Sequence, residues 1–372
     1  MVATPSLSAL ARLHRQPSLS WTPVPVLFGF LVLLAIFAQN VTSQTLKQQE
    51  SQHLCLNYPP LQILLVAKTK NVHGFLAPKF SPGSTAGLLL SETLDFPDKK
   101  TIPGFLVGCS LFSIRQPEGI AGFGRSPESL PSQLGLKKFS YCLVSHAFDD
   151  SPASSDLVLD TGSGSGDTKT PGLSYTRFQK NPTTAFPDYY YVLLRNIFIG
   201  DTHVKLPYKF LVPGSDGNGG TIVDSGTTFT FMEKPVYELV AQEFEKQMTH
   251  YTVATEVQNH TGLRPCFNIS GEKSVSAPEL IFQFKGGAKM ALPTANYFSF
   301  VDSGVICLTI VSDSVVGSGF GGGPAIILGN YQQRNFHVEF DLENESTGST
   351  RGRCDMVVPV KLIIVGQQAS VG

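Results

Sequence analysis

From Ser84 onward the apolar residues come in short runs, each closed by turn residues. Leu88-Leu89-Leu90, Phe105-Leu106-Val107, Tyr141-Cys142-Leu143 and Leu157-Val158-Leu159 are all of this kind. Runs this short, punctuated by 35 Gly and 25 Pro, suit strands and exclude long helical arrays. Two helices are expected. Ser129 to Leu134 is followed by Gly135, a left-handed cap. Pro235 to Met248 places Val236, Leu239, Val240 and Phe244 on one face. Tyr189 to Ile199 reads as strand, and Phe336, Val338 and Phe340 alternate with His337, Glu339 and Asp341 as in a half-exposed strand. The pattern predicts a chain dominated by β-structure.

Charge narrows the function. The 28 Lys+Arg and 29 Asp+Glu leave a net charge of -1, with no basic excess to neutralise phosphates, so no nucleic-acid partner is expected. The eight His show no paired spacing and the six Cys no C-x-x-C, so neither a metal site nor a cofactor is expected. Gly317 to Gly322 formally matches G-x-G-x-x-G, but a strand follows it where a dinucleotide site needs a helix; a hairpin loop is expected. No G-x-S-x-G elbow is present.

The N-terminal text points to a compartment. Residues 1–45 hold no acidic residue, and Arg12, His14 and Arg15 precede a 13-residue apolar run, Val26 to Ala38. As a helix that run reaches about 20 Å, short of a ~30 Å hydrocarbon core. A signal peptide cleaved near Ala38 or Ser43 is expected, with no stable membrane span and a secreted, extracellular or vacuolar product. Four N-x-[ST] sequons, at Asn40, Asn259, Asn268 and Asn344, follow that run. Six cysteines suit disulfides in an oxidising compartment.

One octapeptide carries chemistry. In Thr221-Ile222-Val223-Asp224-Ser225-Gly226-Thr227-Thr228 an apolar strand delivers a carboxylate to a tight turn. Gly226 permits close backbone approach, and Ser225 and Thr227 supply hydroxyls that can orient the carboxylate. By itself the segment also fits an Asx-turn at a strand end. Gly329, in Ala325-Ile326-Ile327-Leu328-Gly329-Asn330, lies 105 residues after Asp224.

Together these segments resemble pepsin-like aspartic proteases, which carry an apolar-apolar-Asp-[Ser/Thr]-Gly-[Ser/Thr] turn and a later apolar-apolar-Gly segment in each lobe. Gly119 to Gly124 resembles the apolar-apolar-Gly segment of the first lobe. Gly119 to Gln133, Phe139-Ser140-Tyr141-Cys142, Tyr189-Tyr190-Tyr191, Asn218 to Thr228 and Ile327 to Leu342 resemble the plant, nepenthesin-type branch, so the resemblance covers roughly residues 80–355. It implies an all-β, bilobed pepsin-like fold, a monomer, and hydrolysis of an extended polypeptide in the inter-lobe cleft. Asp224 would be one catalytic carboxylate, supported by Ser225, Gly226 and Thr227. The resemblance also implies disulfides Cys266–Cys307 and Cys142–Cys354, leaving Cys55 and Cys109 over.

The chain departs from that pattern in the first lobe. Such enzymes use two carboxylates sharing one proton: the ionised one draws a proton from water and the protonated one donates to the scissile carbonyl. The first carboxylate precedes the flap, which Phe80-Ser81-Pro82-Gly83-Ser84-Thr85-Ala86-Gly87 resembles, with Phe80 in the place of the usual Tyr. The first aspartate of this chain is Asp95, after that segment. Counting the same 105 residues back from Gly122 lands on a proline at position 17. A first lobe truncated at its front is therefore expected, with weak or absent activity, and the alternative function is a non-catalytic peptide-binding or inhibitory pseudoprotease.

The expected organisation is a leader at 1–43, an unassigned segment at 44–79, a partial N-terminal lobe with flap at 80–172, a C-terminal lobe at 173–358 and a tail at 359–372. Leu157-Val158-Leu159-Asp160-Thr161-Gly162-Ser163 also satisfies the active-site pattern, but it lies only 64 residues before Asp224 and is read as a strand-to-loop turn. Gly348-Ser349-Thr350 stands where the family places an aromatic, so the strand leading to Cys354 is expected to be loose.

Overall fold

The computed structural model describes residues 71–76, 79–80, 83–96, 101–114, 120–144, 155–162, 169–182, 186–316, 322–352 and 363–365. The leader, Asn40, Cys55, Cys354 and most of the Gly317–Gly322 loop lie outside them. The chain divides into two compact units, one ending at Ile120 and the other beginning at Ala121.

In the first unit, strands Gly83–Asp95 and Thr101–Ile114 form a long antiparallel hairpin. Asn71–Leu76 and Lys79–Phe80 pair with the other edge of Gly83–Asp95. Phe80 pairs with Gly83 in the backbone register of the last two strands. Leu90, Glu92, Leu94 and Phe96 alternate as the buried positions. Burial pushes the Glu92 carboxyl above its usual range.

Among the described residues, four sheets build the second unit. A five-stranded sheet runs in the order Ile310–Ser312, Thr230–Met232, Ile326–Leu328, Thr221–Val223, Tyr191–Val192. A six-stranded sheet runs Ile363–Val365, Leu157–Asp160, Lys138–Cys142, Phe336–Asp341, Ser346–Arg351, Ser174–Arg177. The two four-stranded sheets are Thr202–Val204, Leu194–Ile199, Leu280–Phe284, Lys289–Leu292 and Thr252–Val253, Cys266–Asn268, Val305–Leu308, Phe298–Asp302. In the latter, Cys266 and Cys307 are direct cross-strand partners and form a disulfide. Closing its 41-residue step contributes about 4 kcal/mol on the chain-entropy estimate. Cys109 and Cys142 each take part in a disulfide as well.

Both expected helices form. Leu130–Leu134 starts at Ser129, whose Oγ accepts the Ser132 amide at 3.4 Å, and ends at left-handed Gly135. Lys234–Gln247 buries Val236, Tyr237, Val240, Ala241 and Phe244. Leu239 is 37% exposed, because the buried stripe is centred on 236, 240 and 244 and widens toward 237 and 241.

Two expectations are corrected in the six-stranded sheet. Phe336–Asp341 is not half-exposed: it lies between Lys138–Cys142 and Ser346–Arg351, and Glu339 and Asp341 are buried with their apolar neighbours. Glu339 accepts from Thr170 Oγ1 at 2.6 Å and Tyr175 Oη at 2.5 Å. Asp341 meets Lys138 Nζ at 3.2 Å and accepts from Asn344 Nδ2 at 2.9 Å and Asn344 N at 3.0 Å. Nor is the strand after Asn344 loose. Ser346–Arg351 pairs along its whole length with Phe336–Asp341 and on its other edge with Ser174–Arg177. The missing aromatic is supplied by that neighbour, because the Tyr175 ring covers Gly348, where a Cβ would stand 2.7 Å from it.

The Asp341 cluster sets a pH dependence. Burial alone would raise the Asp341 carboxyl, but the Asn344 bonds and Lys138 outweigh it and hold it below its ordinary value. A lowered folded pKa contributes stability above the unfolded value and loses it as pH falls through the folded one. Asp341→Asn should therefore cost about 2 kcal/mol at pH 7. Urea midpoints should show that gap close as pH falls from about 4 toward 2; a gap constant with pH would refute the assignment.

Candidate functional site

The site begins with a parallel strand pair. Thr221–Val223 lies beside Ile326–Leu328, with Ile222 opposite Ile327 and Val223 opposite Leu328. The apolar runs that suggested strands are the reason: Thr221, Ile222 and all of Ile326–Leu328 are buried. One residue on, the Asp224 amide donates to the Leu328 carbonyl at 3.1 Å, and the chain turns.

Within the turn the half-buried Asp224 carboxylate is fixed at both oxygens. The Gly226 amide donates to Oδ1 at 2.8 Å, and Thr227 Oγ1 donates to Oδ2 at 2.5 Å. A Cβ on Gly226 would stand 3.1 Å from Oδ1, which is the close approach that the glycine allows. Each oxygen keeps a free lone pair, so the carboxylate can still accept a bond from a ligand.

The second segment crosses over and clamps the first. Asn330 N donates to Thr227 O at 2.7 Å, Tyr331 N to Thr228 O at 2.8 Å, and Asn330 Nδ2 to Ser225 O at 3.1 Å. Gly329 N donates to Thr230 Oγ1 at 3.1 Å. Gly329 leaves no room for a side chain, since a Cβ would be 2.3 Å from Phe229 O.

Behind the crossing lies a buried amide network that sequence reasoning missed. Gln332 accepts from Thr230 N at 2.8 Å and donates to Asn296 O at 2.8 Å and Thr309 Oγ1 at 3.0 Å. Gln333 donates to Leu328 O at 2.8 Å and accepts from Tyr141 Oη at 2.5 Å. The only sequence signal was the pair of glutamines directly after an apolar-apolar-Gly-Asn segment. Tyr141 and Tyr189 both sense Asp224. Burial raises each phenol above its usual range, and the Asp224 charge raises both further. Tyr189 is 39% exposed and stacks on Phe186 at 5.5 Å, giving the site an accessible aromatic surface.

Asp160 repeats the local turn but not the setting. Gly162 N donates to Asp160 Oδ1 at 2.7 Å, as expected of a strand-to-loop turn. Asp160 ends a strand of the six-stranded sheet, whereas the strand before Asp224 belongs to the five-stranded one. Its neighbours are Lys138 across the strand and Lys137, whose amide donates to Asp160 O at 2.9 Å.

Of the other predicted site residues, Phe80 belongs to the first unit and Asp224 to the second. Asn259 and Asn268 are exposed; Asn344 is half-buried, with Nδ2 bonded to Asp341. Among the described residues there is no group of three or more His, Cys, Asp or Glu able to hold a metal ion, and no helix long and apolar enough to cross a membrane.

Residues 67–163 match the family model described as xylanase inhibitor N-terminal, and residues 189–348 the one described as xylanase inhibitor C-terminal. The chain is 33% identical over 281 residues to the aspartic proteinase nepenthesin-2 of Nepenthes gracilis, covering 74% of this chain and 60% of that protein. It is 32% identical over 310 residues to an Arabidopsis thaliana protein named as a probable aspartyl protease, covering 74% of this chain and 61% of the relative. The crystal structure of soybean basic 7S globulin superposes with a TM-score of 0.58 at 21% identity, covering 84% of each chain. The chain belongs to the pepsin-like aspartic protease family, has its β-rich fold, and spans about 60% of the length of these protease relatives.

The clamp makes a direct prediction. Gly329→Ala forces a methyl group into the Phe229 backbone and should destabilise the chain by about 3 kcal/mol. Chemical denaturation measures it, and a loss below ~0.5 kcal/mol would mean that the two segments do not cross as described.

Proposed function

We propose that this chain is a non-catalytic member of its family that binds an extended polypeptide at the Asp224 turn. The observation that supports the reading is that, among the described residues, Asp224 is the one carboxylate set in the crossed-segment geometry. Asp224 is held by Gly226 and Thr227, while no aspartate occurs before Asp95. One carboxylate cannot be both the base that activates water and the acid that polarises the carbonyl. It can still accept a hydrogen bond from a peptide, and the exposed Tyr189 ring beside it offers apolar contact. The xylanase-inhibitor descriptions of the matching family models support a binding role, and inhibition of another protein is one form it could take.

A second reading is endopeptidase activity by the Asp-activated water of the family. It is favoured by the intact Asp224 turn and by relatives named as proteinases.

One experiment separates them. At pH 4 the purified chain should not cleave an unfolded protein substrate, yet it should bind pepstatin A, the statine peptide used here as probe. Asp224→Asn should weaken that binding about tenfold, through the loss of one hydrogen bond accepted by the carboxyl group. Pepstatin-sensitive cleavage abolished by Asp224→Asn or Asp160→Asn would establish the endopeptidase. Absence of both cleavage and binding would refute both readings.

We also propose a secreted or vacuolar glycoprotein. The exposed sequons at Asn259 and Asn268, the disulfide and the apolar run Val26 to Ala38 support it. Expressed in plant cells, the protein should shift on endoglycosidase treatment, and Asn259→Gln with Asn268→Gln should reduce that shift. An unglycosylated cytosolic product would overturn this location.

A further inference from the structure

Tyr141 has no part in the chemistry assigned above, yet its hydroxyl lies behind the Asp224 turn. It comes from Lys138–Cys142 of the six-stranded sheet, whereas Asp224 follows a strand of the five-stranded sheet. The residue is 6% exposed, and its hydroxyl donates to Gln333 Oε1 at 2.5 Å. Gln333 is fully buried and passes the constraint on, donating from Nε2 to Leu328 O at 2.8 Å. That same carbonyl receives the Asp224 amide at 3.1 Å. Four groups therefore form one chain: phenol, side-chain amide, strand carbonyl and the backbone of the acidic residue.

The order of the bonds matters. A carboxamide can rotate and exchange its oxygen and nitrogen. The Tyr141 hydroxyl is a donor here, so it selects the orientation in which Gln333 presents Oε1 to it and Nε2 to Leu328. The Leu328 carbonyl then has both lone pairs engaged, one by Gln333 and one by Asp224. The Asp224 carboxylate is bonded within its own turn, to Gly226 and Thr227, so whatever fixes the turn fixes the carboxylate.

We propose that Tyr141 is a positioning residue of this site: through Gln333 and Leu328 it holds the Asp224 turn in the geometry that meets a ligand. The ligand clause rests on the reading of Asp224 given above; the positioning of the turn does not. Without the hydroxyl, Gln333 Oε1 is buried with its described donor gone, the amide is free to turn over, and Leu328 loses its second donor.

Tyr141→Phe removes one oxygen atom and tests the inference in two ways. Hydrogen exchange, read by mass spectrometry on a peptide spanning Thr221–Thr228, should accelerate about tenfold. Peptides from helix Lys234–Gln247 should exchange as in the wild type. Pepstatin A binding at pH 4 should weaken about tenfold. Gln333→Leu breaks the same chain from its other end and should give the same signature, so it serves if Tyr141→Phe does not accumulate folded. The double variant should be no worse than Tyr141→Phe alone, which already removes the bond to Gln333 together with the phenol's hydrogen bond to the Ser225 side chain. Unchanged exchange in the Thr221–Thr228 peptide would overturn the proposal, as would equal acceleration throughout the protein. If wild-type protein does not bind pepstatin A while exchange still accelerates locally, the ligand reading fails and the positioning role stands.

Discussion

The Leu328 carbonyl is the point on which the site depends. It receives the Asp224 amide from one side and the Gln333 side chain from the other, at 3.1 and 2.8 Å. This arrangement needs Thr221–Val223 and Ile326–Leu328 to run parallel and adjacent, which antiparallel hairpins cannot supply. Parallel neighbours require a long connection, and here the whole of residues 224–325 forms it. One four-stranded sheet, the hairpin Leu280–Phe284 with Lys289–Leu292 and the helix Lys234–Gln247 are thus built within the excursion between the two halves of one turn, and that hairpin completes its sheet with two strands that precede Thr221. Gly329 then lets the returning segment pass within 2.3 Å of where a side chain would begin.

The buried side of this arrangement is unusually polar for a core. Gln332, Gln333, Asn296, Thr230 and Thr309 are each no more than 1% exposed. Buried amides without partners would each cost roughly 1–3 kcal/mol, so their mutual bonding is a condition of folding as well as a feature of the site. Such a network tolerates few alternative arrangements, because one rotated amide leaves a donor facing a donor. That property suits a carboxylate whose position, more than its identity, determines what it can bind.

The six-stranded sheet obeys the same rule with charges. Glu339 and Asp341 sit in a central strand, covered on both sides, and each is surrounded by donors. Their alternation with Val338 and Phe340 is the pattern of a strand with one wet face. The sheet instead covers that face, and Thr170, Tyr175, Lys138 and Asn344 take the place of water. In the same sheet Tyr175 fills the space above Gly348, so an aromatic missing from one strand is provided by its neighbour.

The sequence alone determined the strand-rich character, both expected helices and the turn at Asp224. Each is a local matter: run length and turn residues for strands, a cap for Leu130–Leu134, and an aspartate followed two residues later by glycine for the turn. It also pointed to Cys266 and Cys307, through a family resemblance and not through spacing. Local pattern could not separate Asp160 from Asp224, because both form the same Asx turn. Spacing along the chain set Asp160 aside, and the tertiary structure shows the physical difference by bringing Asn330 and Gly329 across the Asp224 turn. Nor could it reveal Gln332, Gln333 or Tyr141 as parts of the site. Burial and hydrogen-bond partners arise from segments up to 192 residues apart, as for Tyr141 and Gln333. A side chain's own neighbours in sequence carry no record of which distant donor or acceptor it will meet.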